Sequence, residues 1–171
     1  QRQVQVQGPD ALKLCQYISA RDLSELKIGV AKYAPLGDHQ GRLINDPVAL
    51  RVDEDTIWFS IADSDILLWV RAVSGEREDN VEIIEPDVSP LAVQGPRATD
   101  TVAAVFGEWV RELKFFHFKR INHEGIPLVV CRSGWSKQGG FELFLEDANK
   151  GEQLWDLIWA AGEPHGIRVG A

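Results

Sequence analysis

The stretch VQVQGPDALKL at residues 4–14 returns as LAVQGPRATDTV at residues 91–102, and this repeat limits the folds open to the chain more than any single motif. It sets Gly8-Pro9 against Gly95-Pro96. Glu25-Leu26-Lys27 returns as Glu112-Leu113-Lys114 at the same offset of 87 residues. His39-Gln40-Gly41 answers His123-Glu124-Gly125, and Trp69 answers Trp155, at slightly smaller offsets. One match is noise; an ordered series at a near-constant spacing marks two related structural units.

Each half reads in the same way. An alternating strand runs into Gly-Pro, where proline suits the start of a helix because its missing N–H needs no partner there. Helices are expected over 10–18 and 97–105. Three strand-like runs follow in each half: IGVAKYAPL, RLINDPVALRV and TIWFSIA, then LKFFHFKRI, IPLVVCRS and FELFLE. The breaks between them are GDHQG and DED in the first half, NHEG and WSKQGG in the second. A closing amphipathic helix carries Ile66, Leu67 and Val70, or Leu154, Leu157 and Ile158. Hairpin connections imply mostly antiparallel sheet, and strands followed by helices imply an α+β fold. The expectation is two pseudo-symmetric β-α-β-β-β-α halves, residues 1–78 and 79–171. The charged GEREDN stretch (75–80) is the expected seam, and a ligand crevice is expected between the halves.

Composition narrows the function classes. A net charge of −8 argues against broad nucleic-acid binding, which requires a basic surface. No apolar run approaches the length of a membrane-spanning helix, and the polar opening QRQ does not resemble a signal peptide. Cys15 and Cys131 lack metal-ligand spacing, and the four histidines form no HExxH-type pair. Two buried thiols, a cytoplasmic location and no metal are therefore expected. The chain contains no Met, opens in a strand-like run and stops on Val169-Gly170-Ala171. It is expected to be a piece of a longer polypeptide.

Asp46, in LINDPV, stands between two apolar runs. Pro47 presses it toward an extended backbone and removes a ladder donor. Two readings are open: a carboxylate projecting from a strand edge into a cavity, or a turn-forming Asn-Asp-Pro. In RSGWSKQGGFELFLE, Phe141, Leu143 and Leu145 share one strand face, and Glu142, Phe144 and Glu146 the other. Glu142 is either a carboxylate for the amine and ring N–H of a pterin, or an exposed strand glutamate. Aromatic neighbours suit the ring face. Trp135 either packs on the core or lines a pocket. Arg132 and Lys137 either hold an anionic tail or solvate the turn.

In this order the segments resemble the glycine cleavage T-protein superfamily. The matching residues are Gly8-Pro9-Asp10-Ala11, Gly29 to Tyr33, Gly41 to Asp46, Gln94-Gly95-Pro96-Arg97-Ala98 and GWSKQGGFE. The resemblance runs over essentially the whole chain. It implies binding of tetrahydrofolate, with Asp46 as the catalytic carboxylate and Tyr33, Trp135, Gln138, Glu142 and Phe144 as ligand residues. There are departures. Gln138 replaces the loop glutamate that usually meets the pterin, whereas Glu142 keeps the second one. The asparagine expected after the next strand is missing from FSIADSD, and GIRVGA lacks the usual arginine. RSGWSKQGG, INDPV and FSIADSD are instead similar to the branch that moves a methyl group from dimethylsulfoniopropionate to tetrahydrofolate. That branch implies a further segment before residue 1 and a β-rich domain after residue 171. It also implies a small-molecule donor and no nucleic-acid or membrane partner; a homodimer is compatible with it. The alternatives are an aminomethyltransferase of the glycine cleavage type, another folate-dependent demethylase, and a non-catalytic folate-binding module. The last is disfavoured by the absence of cysteine from the loop.

Overall fold

The computed structural model describes residues 2–61 and 66–170. Residues 62–65 of FSIADSD, where the missing asparagine was noted, lie outside the described residues. The fold is α+β with antiparallel sheets, as expected. It divides into two compact units, Gln1–Pro86 and Asp87–Ala171.

The first unit begins with β1 (Arg2–Gln7) and α1 (Ala11–Ile18). A long interrupted hairpin follows, made of β2 (Ala31–Tyr33), β3 (Leu36–Gly37), β4 (Leu43–Asn45) and β5 (Val48–Arg51). β6 (Thr56–Ile61), α2 (Leu67–Arg77) and β7 (Glu82–Ile84) complete it. Its main sheet has the order β2-β5-β6-β1-β7. The second unit contains β8 (Ser89–Gln94), α3 (Ala98–Phe106), β9 (Phe118–His123), β10 (Ile126–Cys131), β11 (Gly140–Leu145) and α4 (Gly151–Gly162). Its sheet order is β8-β11-β10-β9. Read from the far edge, β9-β10-β11-β8 has the same connectivity as β2-β5-β6-β1.

Burial at Ala11, Leu14, Cys15 and Ile18 gives α1 an apolar stripe at helical spacing. It packs with Val4, Val6, Ile57 and Phe59 in one core. In the second unit Val102, Phe106, Leu154 and Ile158 cover Phe141, Leu143 and Leu145. The prolines differ slightly from expectation. Pro9 and Pro96 sit one residue before the helix caps Asp10 and Arg97, not inside the first turn. The turns are closed by the amides of Ala11 and Ala98, which donate to the carbonyls of Gly8 and Gly95, each at 3.0 Å.

Three local departures have physical causes. The contacts part after Pro86, later than the boundary expected at residue 78, because α2 runs through Arg77 and β7 pairs with β1. Residues 113–117 are not strand: they leave a 3-10 turn (Glu108–Glu112), and Phe116 has a φ of 59° that an extended ladder does not accept. β7 is a short strand that the repeat pattern does not contain.

Both Gly-Pro turns need a glycine, but unequally. Gly8 has φ 141°, and a Cβ there would lie 2.5 Å from the Asn80 carbonyl oxygen; at Gly95 (φ 118°) the nearest atom is 3.9 Å away on a flexible side chain. Gly95→Ala is expected to cost about 1–3 kcal/mol from backbone strain alone. Gly8→Ala is expected to cost more, because backbone atoms cannot yield. Denaturation midpoints of the two variants check this; equal losses would contradict it.

Candidate functional site

Tyr33 and Asp46 meet because the hairpin ladder breaks on both of its strands. Pro47 has no N–H to donate, and its carbonyl accepts from Ala34 at 2.8 Å. On the opposite strand Pro35 turns its carbonyl away to the amide of Ala20, and the register shifts at Leu36/Gly37. Asp46 therefore lies in a gap between β4 and β5 that holds no turn, half-buried, with its amide donating to Asn45 Oδ1 at 2.8 Å. Asp46 thus stands at a strand edge and not in a turn. The Tyr33 hydroxyl donates to Asp46 Oδ2 at 2.7 Å. That hydrogen bond, then partial burial, then the charge on Asp46 hold the Tyr33 phenol above its ordinary value.

In the second unit Glu142 is 6% exposed, so the reading as a solvent-facing strand glutamate does not hold. Its register partner across β10 is the buried Cys131. Ser133 Oγ donates to Glu142 Oε2 at 2.5 Å. Among the described residues it is the sole hydrogen-bond donor to this carboxylate. A buried carboxylate is costly unless well paired, so one donor leaves most of its accepting capacity for something else. Phe144, two residues along on the same face, is buried beside Val129, and neither belongs to the core beneath the helices.

The loop after β10 is fastened by Gln94. Its amide nitrogen donates to the carbonyls of Ser133 and Phe141, both at 3.0 Å, and its amide oxygen accepts from Ser136 Oγ at 2.9 Å. A Cβ at Gly134 would strike that amide at 2.1 Å, which explains the glycine. Trp135 is 60% exposed; it does not pack on the core. Gln138 and Lys137 are exposed. Arg132 is partly committed elsewhere, donating to the carbonyls of Leu113 and Arg111 at 3.1 and 3.3 Å. Tyr33 with Asp46, and Glu142 with Phe144, are thus brought together within their own units. Sequence reasoning missed Ser133 and Gln94. The one available signal was the β10–β11 hairpin register, which carries Ser133 just beyond the Cys131–Glu142 pair.

A hollow of about 470 Å³ in the second unit, lined by Leu91, Trp155, Ile158, Trp159 and Val169, contains none of the candidate residues. No group of three or more His, Cys, Asp or Glu among the described residues is placed to hold a metal ion. Among the same residues no helix is long and apolar enough to cross a membrane.

The GCVT N-terminal domain family matches residues 1–171. The chain belongs to this family. Among the relatives of this GCVT domain is the dimethylsulfoniopropionate demethylase DmdA of Ruegeria pomeroyi, 50% identical over 99% of the chain and 47% of the relative. The aminomethyltransferase of Oceanobacillus iheyensis is 31% identical over 96% of the chain and 46% of the relative. The chain thus spans about half the length of the curated relatives it matches. In fold it is similar to the glycine cleavage system aminomethyltransferase T of Bartonella henselae, with a TM-score of 0.77 at 23% identity over 92% of this chain and 42% of that one.

Two measurements follow for this GCVT domain. In a Tyr17→Phe background Tyr33 is the sole tyrosine, and Asp46→Ala is expected to bring its ultraviolet titration down toward the ordinary value near 10. Because the folded value is raised, the linked stability is complete below about 10 and is lost as pH rises through the folded value. An unmoved titration would dissolve the Tyr33–Asp46 pairing. Burial pushes the Cys15 thiol up, and pushes that of Cys131 up to about 12. Neither thiol is expected to react quickly with a disulfide reagent at pH 8 until the protein is denatured; rapid labelling of the native protein would show otherwise.

Proposed function

We propose that this chain forms the folate-binding part of a methyltransferase that carries a methyl group from dimethylsulfoniopropionate to tetrahydrofolate. The observation that carries this reading is the identity to the demethylase, well above that to the aminomethyltransferases and spread over nearly the whole chain. The departures at Gln138 and in FSIADSD point the same way. The buried Glu142 carboxylate supports the folate reading. A tetrahydropterin offers its exocyclic amine and a ring N–H side by side, a donor pair that a carboxylate can accept. Trp135, Gln138 and Phe144 are proposed as further ligand residues, Tyr33 as the partner of Asp46.

The reaction needs little from the protein beyond alignment. The sulfur–methyl bond breaks with its electron pair on sulfur, leaving a neutral thioether that requires no general acid. The folate N5 lone pair forms the new bond, and the N5 proton must then leave. Asp46, whose Oδ2 is held by Tyr33, offers Oδ1 to the developing positive charge or to that proton. Holding the two reactants in line and excluding water supplies much of the remaining barrier reduction. No metal, nucleic-acid or membrane partner enters this scheme. A cytoplasmic enzyme, with homodimerisation compatible, is proposed.

The full-length protein is expected to remove methyl from dimethylsulfoniopropionate only when tetrahydrofolate is present. Turnover confined to a lipoyl-bound aminomethyl donor would move the assignment to the glycine cleavage branch. Folate binding without turnover on any sulfonium, betaine or methylamine would leave a binding module. Glu142→Gln is expected to weaken tetrahydrofolate roughly 10- to 150-fold, the loss of one charge-assisted bond of about 1.5–3 kcal/mol. Glu142→Ala is also expected to lower stability by about 1–3 kcal/mol, because the Ser133 hydroxyl is left unpaired. Calorimetric affinity and denaturation midpoints separate the two effects.

A further inference from the structure

Gln3 lies on β1 and is 1% exposed, yet both atoms of its amide are buried without a hydrogen-bond partner. Gln5, two residues along on the same face, shows how such a side chain is normally settled: its amide oxygen accepts from the Trp58 indole at 2.9 Å, and its nitrogen donates to Gln7 at 3.0 Å. An orphaned buried amide costs about 1–3 kcal/mol for each unmet group and requires a reason.

The register supplies one. Gln3 stands opposite Ser60, Ser60 opposite Val48, and Val48 opposite Tyr33. These four residues form one row across β1, β6, β5 and β2, and directly opposed residues of an antiparallel sheet share a face. The core beneath the helices takes the other face, through Val4, Phe59 and Ala49. In the row two long polar side chains flank two short ones, the buried Ser60 and Val48. One end is Tyr33, hydrogen-bonded to Asp46; the other is the orphaned amide, three strand spacings or about 14 Å away between Cα atoms.

We propose that Gln3 holds the edge of the tetrahydropterin that carries the 4-oxo group and N5–H. Its amide nitrogen donates to the oxygen, and its amide oxygen accepts from N5–H. The inference rests on the folate reading above. It matches an orphaned donor and an orphaned acceptor on one amide with an acceptor and a donor adjacent on one ring edge. A hydrogen bond to N5–H lies near the ring plane and leaves the N5 lone pair open above it. The methyl group arrives on the N5 lone pair and the N5 proton then leaves to Asp46, as in the scheme above, so the methylated product loses one of the two bonds to Gln3. Gln3 thereby becomes a device for telling acceptor from methylated product.

The test is calorimetry on the full-length protein with tetrahydrofolate and 5-methyltetrahydrofolate, for the parent and for Gln3→Leu. The parent is expected to bind tetrahydrofolate more tightly. Gln3→Leu is expected to weaken tetrahydrofolate roughly 5- to 150-fold and to shrink the difference between the two ligands. Its ligand-free denaturation midpoint should not fall, since an apolar side chain replaces an unpaired amide; Gln3→Met serves if the leucine variant folds poorly. Unchanged affinities, or equal weakening of both ligands, would overturn the assignment of Gln3 while leaving the folate reading intact. A parent that binds neither ligand would overturn both.

Discussion

Strand register governs what this chain can do. In each sheet one face is given to that unit's own helices, and the alternation of side chains delivers every second residue to the other face. A slip of one residue between β1 and β6 would exchange Gln3 for Val4 and bring core valines to the polar side. The same slip between β10 and β11 would take Glu142 away from Cys131 and Ser133. The ladders that hold these sheets together are therefore also what selects the residues available for chemistry. The apolar cores enforce the selection, since Val4, Val6, Phe141 and Leu143 tolerate no other placement.

Much of the architecture was legible because the repeat converts weak local signals into paired ones. Either Gly-Pro alone is a turn of no particular meaning, but two of them at a fixed spacing, each followed by an apolar stripe, imply a strand and a helix twice over. The limits were equally physical. Period-two alternation says which residues share a face but not whether that face meets water, so the sequence left open whether Glu142 is exposed or, as in the structure, closed off. The orphaned amide of Gln3 and the work of Gln94 depend on partners supplied, or withheld, by strands distant in sequence. Phe116 defeated the strand reading of 113–117 through one left-handed backbone angle that composition does not announce.

The two candidate carboxylates solve different problems. Asp46 is half-buried at a break in a ladder, where a tyrosine hydroxyl fixes one oxygen. Glu142 is inside, on an intact strand, with one serine as its protein partner. In the proposed scheme one meets charge that develops during the reaction and the other a fixed pattern of donors, and each is held by a partner hydroxyl. A charge that must recognise a fixed pattern of donors belongs where neighbours prevent it from moving. The sequence departures of this chain leave both carboxylates and alter the loop beside one of them.

That loop has a property of its own. Gln94 secures it chiefly through main-chain oxygens, those of Ser133 and Phe141, and touches one side chain, that of Ser136. The path of the backbone there is thus fixed through main-chain atoms, while Lys137 and Gln138 stand exposed at its surface. A segment built in this way is permissive at those two positions, which can be rewritten by evolution or by design without loosening the frame that carries them. The anchoring glutamine, by contrast, admits no such freedom.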